Sequence, residues 1–456
     1  MSMLTITGAA AILVDDKTES SGDIHLDGGV VVGSDGSERL EPAGSLRPAG
    51  ETLDASGCVV TPGLVNAHHH LLQSAFRTLP GTRGVPMSEW LPTMAAEYAR
   101  IGIDPELCHA AASVGLAESL LSGVTTVADH HLTWPAGCDS VSMARGTVAA
   151  ARELGARLVF VRGTARDDPE QAAASAEAIA GDLVPGRPGG ISADGMLQLA
   201  VGPAGVHSDA PETFRLLGEV AARLGLARRT QSNEQVDVAV ALERYGRRPL
   251  ELLEEWGWLA ADVTLAHLCD VTAAEISRIA ASGATATHAP GCDLPMGWGI
   301  APVAALQAAG VAVGLGTSGG GSNDAGHLLA DARLAMQVAP LVGPPLSART
   351  VLGMATAGSA AGLGRSELGH LRVGAAADLC VWDVSGVSDA GVADPIAGLL
   401  WASPGRRPRH VVVRGRVVVR DGRLVGATYG LGDGVDERAI AGRLRDRIRR
   451  PFIIQE

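Results

Sequence analysis

The amino-acid sequence predicts an α/β protein in which a closed (β/α)8 TIM-like barrel is joined to a small β-sandwich domain formed by both chain termini. Two observations support this fold class. Between residues 61 and 365, eight short apolar runs alternate with helical patterns, and eight strand–helix units over about 300 residues fit a closed parallel barrel. On either side, short β-type runs alternate with turn residues. An open, doubly wound sheet is the alternative for the central region.

Residues 1–60 are predicted to form the N-terminal part of the small β-domain. The opening run MSMLTITGAAAILVDD lacks the basic segment of a signal peptide and is predicted to be a strand. Residues 366–456 are predicted to supply the rest of that domain through the runs LGHLRVGAAADLCVWDV and HVVVRGRVVVRDGRLVG. The run ERAIAGRLRDRIRR predicts a terminal helix on the solvated surface.

The region 61–365 is predicted to be the barrel domain. Asp104 followed by Pro105 predicts the start of one of its helices, because Asp caps helices and Pro favours the first helical position. Asp209 precedes a second helical run in the same way. The eight predicted strands are LVNAHHH (64–70), TTVADHH (125–131), RLVFVRGTA (157–165), MLQLAVGPAG (196–205), LARRTQSNE (226–234), DVTLAHL (262–268), GATATHAP (283–290) and VAVGLGTSGG (311–320).

Composition and charge narrow the class of partner. The 456 residues are 46% hydrophobic, 19% charged and only 3% aromatic, which is typical of an aliphatic α/β core. The formal charge of −13 disfavours nucleic acid and anionic membrane surfaces as partners, and no apolar run reaches transmembrane length. The six cysteines include no C-x-x-C pair and are expected to be reduced thiols. We therefore expect a cytoplasmic location and a small-molecule substrate.

Two histidines end the first predicted barrel strand. His68 and His70 are two residues apart in LVNAHHH, so both imidazoles point to the same face of the strand. The carboxyl ends of barrel strands form the active-site mouth, and converging imidazoles are ligands for a divalent metal ion. The spacing therefore predicts two ligands of a metal site; the alternative is a polar loop that is rich in histidine.

Five motifs along the chain resemble the amidohydrolase superfamily. They are PGLVNAHHHL, GVTTVADHH, the strand end LAH at 265–267, GLGTSGGGSND at 314–324 and GHLRVGAAADLCVWD. The runs RTLPGTRGVPMSEWL and MGWGIAPV are similar to the triazine-hydrolase and 8-oxoguanine-deaminase branch. The resemblance implies one Zn or Fe ion, a small heterocyclic substrate whose C–N or C–Cl bond is hydrolysed, and a homodimer or higher homo-oligomer.

The resemblance also assigns roles to four residues. His68 and His70 match the metal ligands of the first strand. His267 matches the sixth-strand histidine, which orients the attacking water and polarises the substrate. Glu234 matches the fifth-strand glutamate, which carries a proton to and from the ring nitrogen.

Two positions depart from the family pattern. Gln231 stands where a fifth-strand histidine ligand is expected, and Ser318 replaces the eighth-strand aspartate, which the triazine hydrolases also lack. Zinc prefers imidazole, thiolate or carboxylate donors, so neutral amide and hydroxyl oxygens are weaker ligands. We therefore expect the divalent metal to be weakly bound or absent, with Gln231 or His267 as substitute ligands. Ser318 is retained as a catalytic candidate.

Loop residues near the strand ends are candidates for binding a flat heterocycle. Trp90 and Trp298 can enclose a ring between aromatic surfaces. Gln73, His131 and Gln231 follow or end barrel strands and offer hydrogen-bonding groups. The alternative for the aromatic residues is ordinary packing, and the alternative for His131 is an ordinary loop residue.

Three functions remain open at this level. The first is an amidohydrolase-type hydrolase that acts on a C–N or C–Cl bond of a small N-heterocycle with an incomplete metal site. The second is a metal-independent acid–base enzyme for cyclisation, elimination or tautomerisation, which uses Glu234 and the histidines. The third is a non-catalytic small-molecule binding protein with the same fold.

Overall fold

Two sheets of nine strands each organise the described residues, which are 3–34, 50–403, 405–426 and 435–450 of this computed structural model. Five strands of the first sheet precede the barrel. They are β1 (Leu4–Leu13), β2 (Glu19–Asp27), β3 (Val30–Ser34), β4 (Glu51–Asp54) and β5 (Cys58–Pro62).

The second sheet is the barrel. Its strands are β6 (Leu64–His70), β7 (Val124–His131), β8 (Arg157–Thr164), β9 (Leu197–Pro203), β10 (Ala227–Ser232), β11 (Val263–His267), β12 (Thr285–His288), β13 (Val313–Leu315) and β14 (Ser318–Gly319). Neighbouring strands pair in parallel and in chain order from β6 to β13. β13 and β14 are two halves of the eighth strand, and β14 pairs with β6 through Ser318 opposite His69. This pairing closes the ring, so the predicted parallel barrel is confirmed.

Four strands after the barrel complete the first sheet: β15 (Leu379–Asp383), β16 (His410–Val413), β17 (Arg416–Arg420) and β18 (Arg423–Leu424). The strand order is β18-β17-β16-β15-β5-β1-β2-β3, with β4 paired to β1. β5 and β15 are adjacent and antiparallel. Both chain ends therefore share one mixed sheet, as the sequence predicted, while the domain boundaries at residues 60 and 365 stay a prediction.

Helices connect the barrel strands and cover their outer surface. A π-helical segment, 354–358, joins α12 to α13. The α-helices are α1 (Met87–Ile101), α2 (Pro105–Leu121), α3 (Ser140–Leu154), α4 (Pro169–Leu183), α5 (Pro211–Leu224), α6 (Gln235–Tyr245), α7 (Pro249–Glu255), α8 (Ala273–Ser282), α9 (Pro290–Asp293), α10 (Val303–Ala308), α11 (Leu328–Val338), α12 (Ala348–Gly353), α13 (Ser359–Gly362), α14 (Pro395–Trp401) and α15 (Glu437–Arg449).

The two predicted aspartate caps have different outcomes. Asp104 caps α2 by accepting a hydrogen bond of 2.7 Å from the Leu107 backbone N–H, as predicted. The prediction for Asp209 is wrong, because Ala210 precedes α5 and Asp209 turns inward. Its carboxylate accepts bonds from the Thr164 hydroxyl at 2.7 Å and the Ala204 N–H at 3.1 Å. Asp209 therefore ties together the loops that follow β8 and β9.

The terminal helix α15 is not fully solvated, contrary to expectation. Ile440, Leu444 and Arg447 are buried. The Arg447 guanidinium donates to the backbone oxygens of Ile101 and Gly102, which have no helical partner beyond the end of α1. One face of α15 therefore packs against the junction between α1 and α2.

A buried ion pair joins the barrel to the terminal sheet. Arg157, at the start of β8, donates to both oxygens of Asp378 at 2.9 and 3.0 Å, and both side chains are almost fully buried. A bidentate guanidinium–carboxylate pair has a strict geometry, so it fixes the orientation of the sheet against the amino-terminal end of the barrel. The opposite, carboxyl-terminal end is left open. Within the described ranges, no helix combines the length and apolarity needed to span a membrane.

Candidate active site

The carboxyl ends of the barrel strands surround a cavity of about 660 Å³. His70 at the end of β6, Gln231 on β10 and Ser318 on β14 line it. His68, Glu234 and His267 are buried beside these residues. The imidazole centroid of His68 lies 4.8 Å from that of His70 and 5.2 Å from that of His267. The structure therefore brings the first, fifth, sixth and eighth strands together, as the barrel topology requires.

The imidazoles of His68 and His70 are neutral groups with available lone pairs. His70 donates from Nδ1 to the His130 backbone oxygen at 2.7 Å, which leaves its Nε2 as the unprotonated nitrogen. His68 Nε2 is buried and has no hydrogen-bond partner. Burial lowers the pKa of His70 to about 4 and holds the pKa of His68 well below its usual range, with neighbouring imidazoles adding to the effect.

A buried cation lies beneath this pair. Arg229 on β10 donates to the backbone oxygens of Ala67 and Gly362, and it has no carboxylate partner among the described residues. Burial lowers the pKa of Arg229 to about 10, so the guanidinium stays charged at neutral pH. Its charge contributes to the low pKa of His68.

With Asp293 ionised, the hydrogen-bond pattern gives a doubly protonated His267. Gln231 Nε2 donates to the Ala204 backbone oxygen at 3.0 Å, so Gln231 Oε1 faces His267 Nε2 at 3.1 Å. An amide oxygen only accepts, so His267 Nε2 must carry a proton. His267 Nδ1 lies 2.6 Å from Asp293 Oδ1 and donates to that carboxylate. Both ring nitrogens are therefore donors, and the ring is an imidazolium.

Asp293 supplies the charge that makes this imidazolium stable. Burial alone would lower the pKa of His267, but the charge and hydrogen bond of Asp293 raise it above its ordinary value. The reciprocal effect holds the pKa of Asp293 at about 2 against its own burial. Asp293 is not among the residues predicted from the sequence; its one local signal is a carboxylate that follows the seventh strand by a few residues.

Glu234 lies directly before α6 and faces His267. Its Oε1 is 3.7 Å from His267 Nε2, and both carboxylate oxygens are buried without a hydrogen bond. Burial raises the pKa of Glu234, while His267 and His207 partly oppose the rise. A carboxylate without fixed partners and with a raised pKa is suited to general acid–base catalysis.

Three strand ends in the site have strained backbones. Asn233, His267 and Ser318 have φ angles of 55°, 76° and 52°, in the left-handed region that non-glycine residues rarely adopt. Such conformations cost about 1–3 kcal/mol each and are concentrated at functional sites.

The five predicted substrate-binding residues all line the cavity: Gln73, Trp90, His131, Gln231 and Trp298. His131 packs against Trp134 with ring centroids 4.6 Å apart. Gln73 has both ends of its amide bonded within the protein, since Oε1 accepts from Gly321 N–H at 3.0 Å and Nε2 donates to the Tyr98 hydroxyl at 3.3 Å. Its side chain therefore also fixes the loop after β14.

His68 and His70 fit a divalent metal ion, but no third strong ligand accompanies them. Fixing one ring nitrogen by a backbone carbonyl, as His130 does for His70, is typical of metal-binding histidines. Among the described residues, the one group of three His, Cys, Asp or Glu side chains with ligand atoms within 4.8 Å of one another is His267, Cys292 and Asp293. In that group His267 and Asp293 already bond each other, so it offers no open set. With only His68 and His70 as strong donors, the site fits a divalent ion that is held weakly.

Comparison with known proteins decides the family. Residues 59–418 match the sequence profile of the Amidohydrolase family. This chain belongs to the amidohydrolase family. An 8-oxoguanine deaminase of Pseudomonas aeruginosa is 34% identical over 458 residues, covering 98% of this amidohydrolase and 98% of the relative. A 5-methylthioadenosine/S-adenosylhomocysteine deaminase of Halobacterium salinarum is 33% identical over 429 residues. The alignment covers 92% of this chain and 93% of that relative.

Solved structures agree with that assignment. The crystal structure of an atrazine chlorohydrolase from Arthrobacter aurescens TC1 complexed with zinc superimposes with a TM-score of 0.87 at 34% identity, covering 98% of this amidohydrolase and 100% of that chain. The closed barrel and the mixed sheet formed by both termini are thus the fold of the amidohydrolase family.

Proposed function

We propose that this amidohydrolase hydrolyses an exocyclic C–N or C–Cl bond of a small nitrogen heterocycle. The observation that carries the proposal is the pairing of Glu234 with the His267 imidazolium, beside His68 and His70, next to a cavity with aromatic walls. Two relatives at 33–34% identity are an 8-oxoguanine deaminase and a 5-methylthioadenosine/S-adenosylhomocysteine deaminase, and a structural neighbour is an atrazine chlorohydrolase. A cavity of about 660 Å³ is within the range of small-ligand sites.

Glu234 is the proposed proton carrier. In its ionised form it takes a proton from the attacking water as the water oxygen bonds to the ring carbon. It then delivers that proton to the ring nitrogen or to the departing group. The carbon–nitrogen or carbon–chlorine bond breaks, and ammonia, an amine or chloride leaves while the ring retains the water oxygen. The unpartnered carboxylate oxygens of Glu234 suit this shuttle because no fixed hydrogen bond must be broken.

The His267 imidazolium is the proposed electrostatic partner. Its Nε2–H can donate to negative charge that develops on the heterocycle, while Asp293 keeps the ring oriented from the other side. A prepositioned charged donor stabilises such charge strongly. We further propose that Ser318 supplies a neutral hydrogen bond to the reacting groups, and that Trp90, Trp298 and His131 enclose the flat ring.

Where a divalent ion binds, His68 and His70 would hold it, and it would lower the pKa of a bound water. The weak remaining donors, Gln231 and Ser318, motivate the second candidate, a metal-independent acid–base enzyme. The observation that favours it is that Gln231 Oε1 accepts from His267 and so is not presented as a free ligand. Turnover that resists chelators would support this candidate, and turnover lost with chelator and restored by zinc would exclude it.

The decisive test is product release. Aminated and chlorinated purines, pterins and triazines should be screened for released ammonia, amine or chloride, and the best substrate then tested with Glu234→Gln. We expect kcat to fall about 10³-fold, because the variant cannot carry the proton.

His109→Gln is the matched control, since His109 pairs with Glu153 outside the cavity, and it should retain normal activity. Unchanged turnover in Glu234→Gln would contradict the proposed mechanism. Ligand binding without turnover across the screen would instead favour a non-catalytic binding protein.

A further inference from the structure

A second aspartate-bound imidazole, that of His207, lies close enough to Glu234 for their charges to interact. His207, in the loop after β9, lines the cavity, and its Nδ1 is 3.1 Å from Asp237 Oδ1. The backbone N–H of His207 donates to the same oxygen at 3.1 Å. Asp237 also accepts from the Asn233 N–H through its second oxygen, at 2.9 Å. The ring is therefore fixed to the segment that carries Glu234.

The position of this ring is set by close packing. A Cβ atom on Gly205 would lie 2.8 Å from His207 Nδ1 and 3.1 Å from the Gln231 backbone oxygen, so a side chain at residue 205 would displace the imidazole. With Nδ1 committed to Asp237, Nε2 is left without a protein partner among the described residues. Since 9% of the side chain remains exposed and the residue lines the cavity, Nε2 is available to a ligand.

Two side chains that can carry positive charge, His207 and Arg166, line this end of the cavity. Burial lowers the pKa of His207, but the bond to Asp237 and the charge of Glu234 more than offset this and raise it to about 9. Arg166 also lines the cavity, and its guanidinium has no hydrogen bond or ion pair in the described part of the chain. The neighbouring carboxylates are occupied, as Asp167 pairs with Arg162 at 2.7 Å and Asp209 bonds the Ser208 hydroxyl at 2.7 Å.

We propose that His207 is a specificity-determining residue, which donates a hydrogen bond from Nε2 to an anionic oxygen of the substrate, with Arg166 as a second cation at the rim. The preferred substrate is then a heterocycle that carries a carboxylate or an ionised oxygen substituent. The opposite edge of the ring would face Glu234. This inference rests on the proposed function and names the substrate class of the same site. An ionic hydrogen bond from a mostly buried side chain discriminates strongly against a ligand that lacks the acceptor.

The test is a binding ratio measured without turnover. Because none of the probes carries an amine or chloride leaving group, calorimetry with the unmodified enzyme would compare orotate with uracil, which differ by a carboxylate, and urate, an anion, with hypoxanthine, which is neutral. For at least one pair we expect the anion to bind about tenfold more tightly or better. The pair that shows the preference identifies the source of the anionic oxygen.

His207→Gln should bring that ratio close to one while the neutral probe keeps its affinity, which a merely structural role would not produce. Arg166→Gln, at an exposed side chain, should lower the ratio less and serves as the second variant if His207→Gln does not fold. His109→Gln should leave the ratio unchanged. Equal binding of both members of each pair, no binding of any probe, or an unchanged ratio in both variants would overturn the inference. Failure of the proposed function would show separately, as absent product release by the unmodified enzyme.

Discussion

The two sides of the site contain the same residue type in opposite states. His68 and His70 on one side and His267 on the other are all buried, yet the first two are neutral and the third is an imidazolium. The difference comes from the neighbours: a backbone carbonyl and other imidazoles on one side, and the carboxylate of Asp293 on the other. Burial alone favours the neutral ring, and only a bonded carboxylate reverses it.

This contrast bears on metal binding. The His68 and His267 ring centroids are 5.2 Å apart, and at an effective dielectric constant of 20, like unit charges about 5 Å apart repel by about 3 kcal/mol. A cation beside His68 therefore has the His267 imidazolium and the buried Arg229 as unfavourable neighbours. The neutral side offers lone pairs for a cation, while the charged side lowers its affinity.

Gln231→His is expected to give the largest change in metal affinity. It adds a third imidazole near His68 and His70 and removes the oxygen that accepts from His267. We expect zinc affinity to rise on the order of 10³-fold, measured by elemental analysis after equilibration in zinc buffers. Gln231→Leu removes the amide without adding a ligand and should leave zinc content low. An equally low content in the histidine variant would show that residue 231 is not the missing ligand.

Asp293→Asn tests the charged side. Without the carboxylate, burial dominates and the pKa of His267 falls, so the ring loses its proton at neutral pH. We expect kcat/KM to fall about 10²-fold with little change in KM. Asp182→Asn removes a surface partner of Arg145 and should have no effect. Normal activity in a folded Asp293→Asn enzyme would mean that the imidazolium is dispensable.

The smallest expected effect concerns the limits of the pH profile. Glu234 must be ionised to act as a base, and its pKa is raised, so kcat/KM should fall with decreasing pH at values above those of an ordinary glutamate. His267 must stay protonated, and its pKa is also raised, so activity should fall with increasing pH only above the ordinary histidine range. The alkaline limit should move to lower pH in Asp293→Asn, and an unmoved limit would assign it to another group.

The barrel was predictable from sequence because parallel strands buried on both faces appear as short apolar runs between helical patterns. The convergence of His68 and His70 followed from their spacing on one strand. Asp293 and the His207–Asp237 pair were missed because each bond joins segments that are distant in sequence, and no local pattern marks such partners. The same reason explains why Asp209, predicted as a helix cap, bonds neighbouring loops instead.

By itself, the sequence determined the order of strands and helices, the residues at the strand ends and the absence of two expected metal ligands, since these depend on periodicity and residue identity. Only the tertiary structure decided which imidazoles are charged, because the pKa of a buried group depends on the few atoms that surround it in space. It also decided that Gln231 bonds His267, since the direction of that hydrogen bond depends on groups from β10, β11 and the loop after β9.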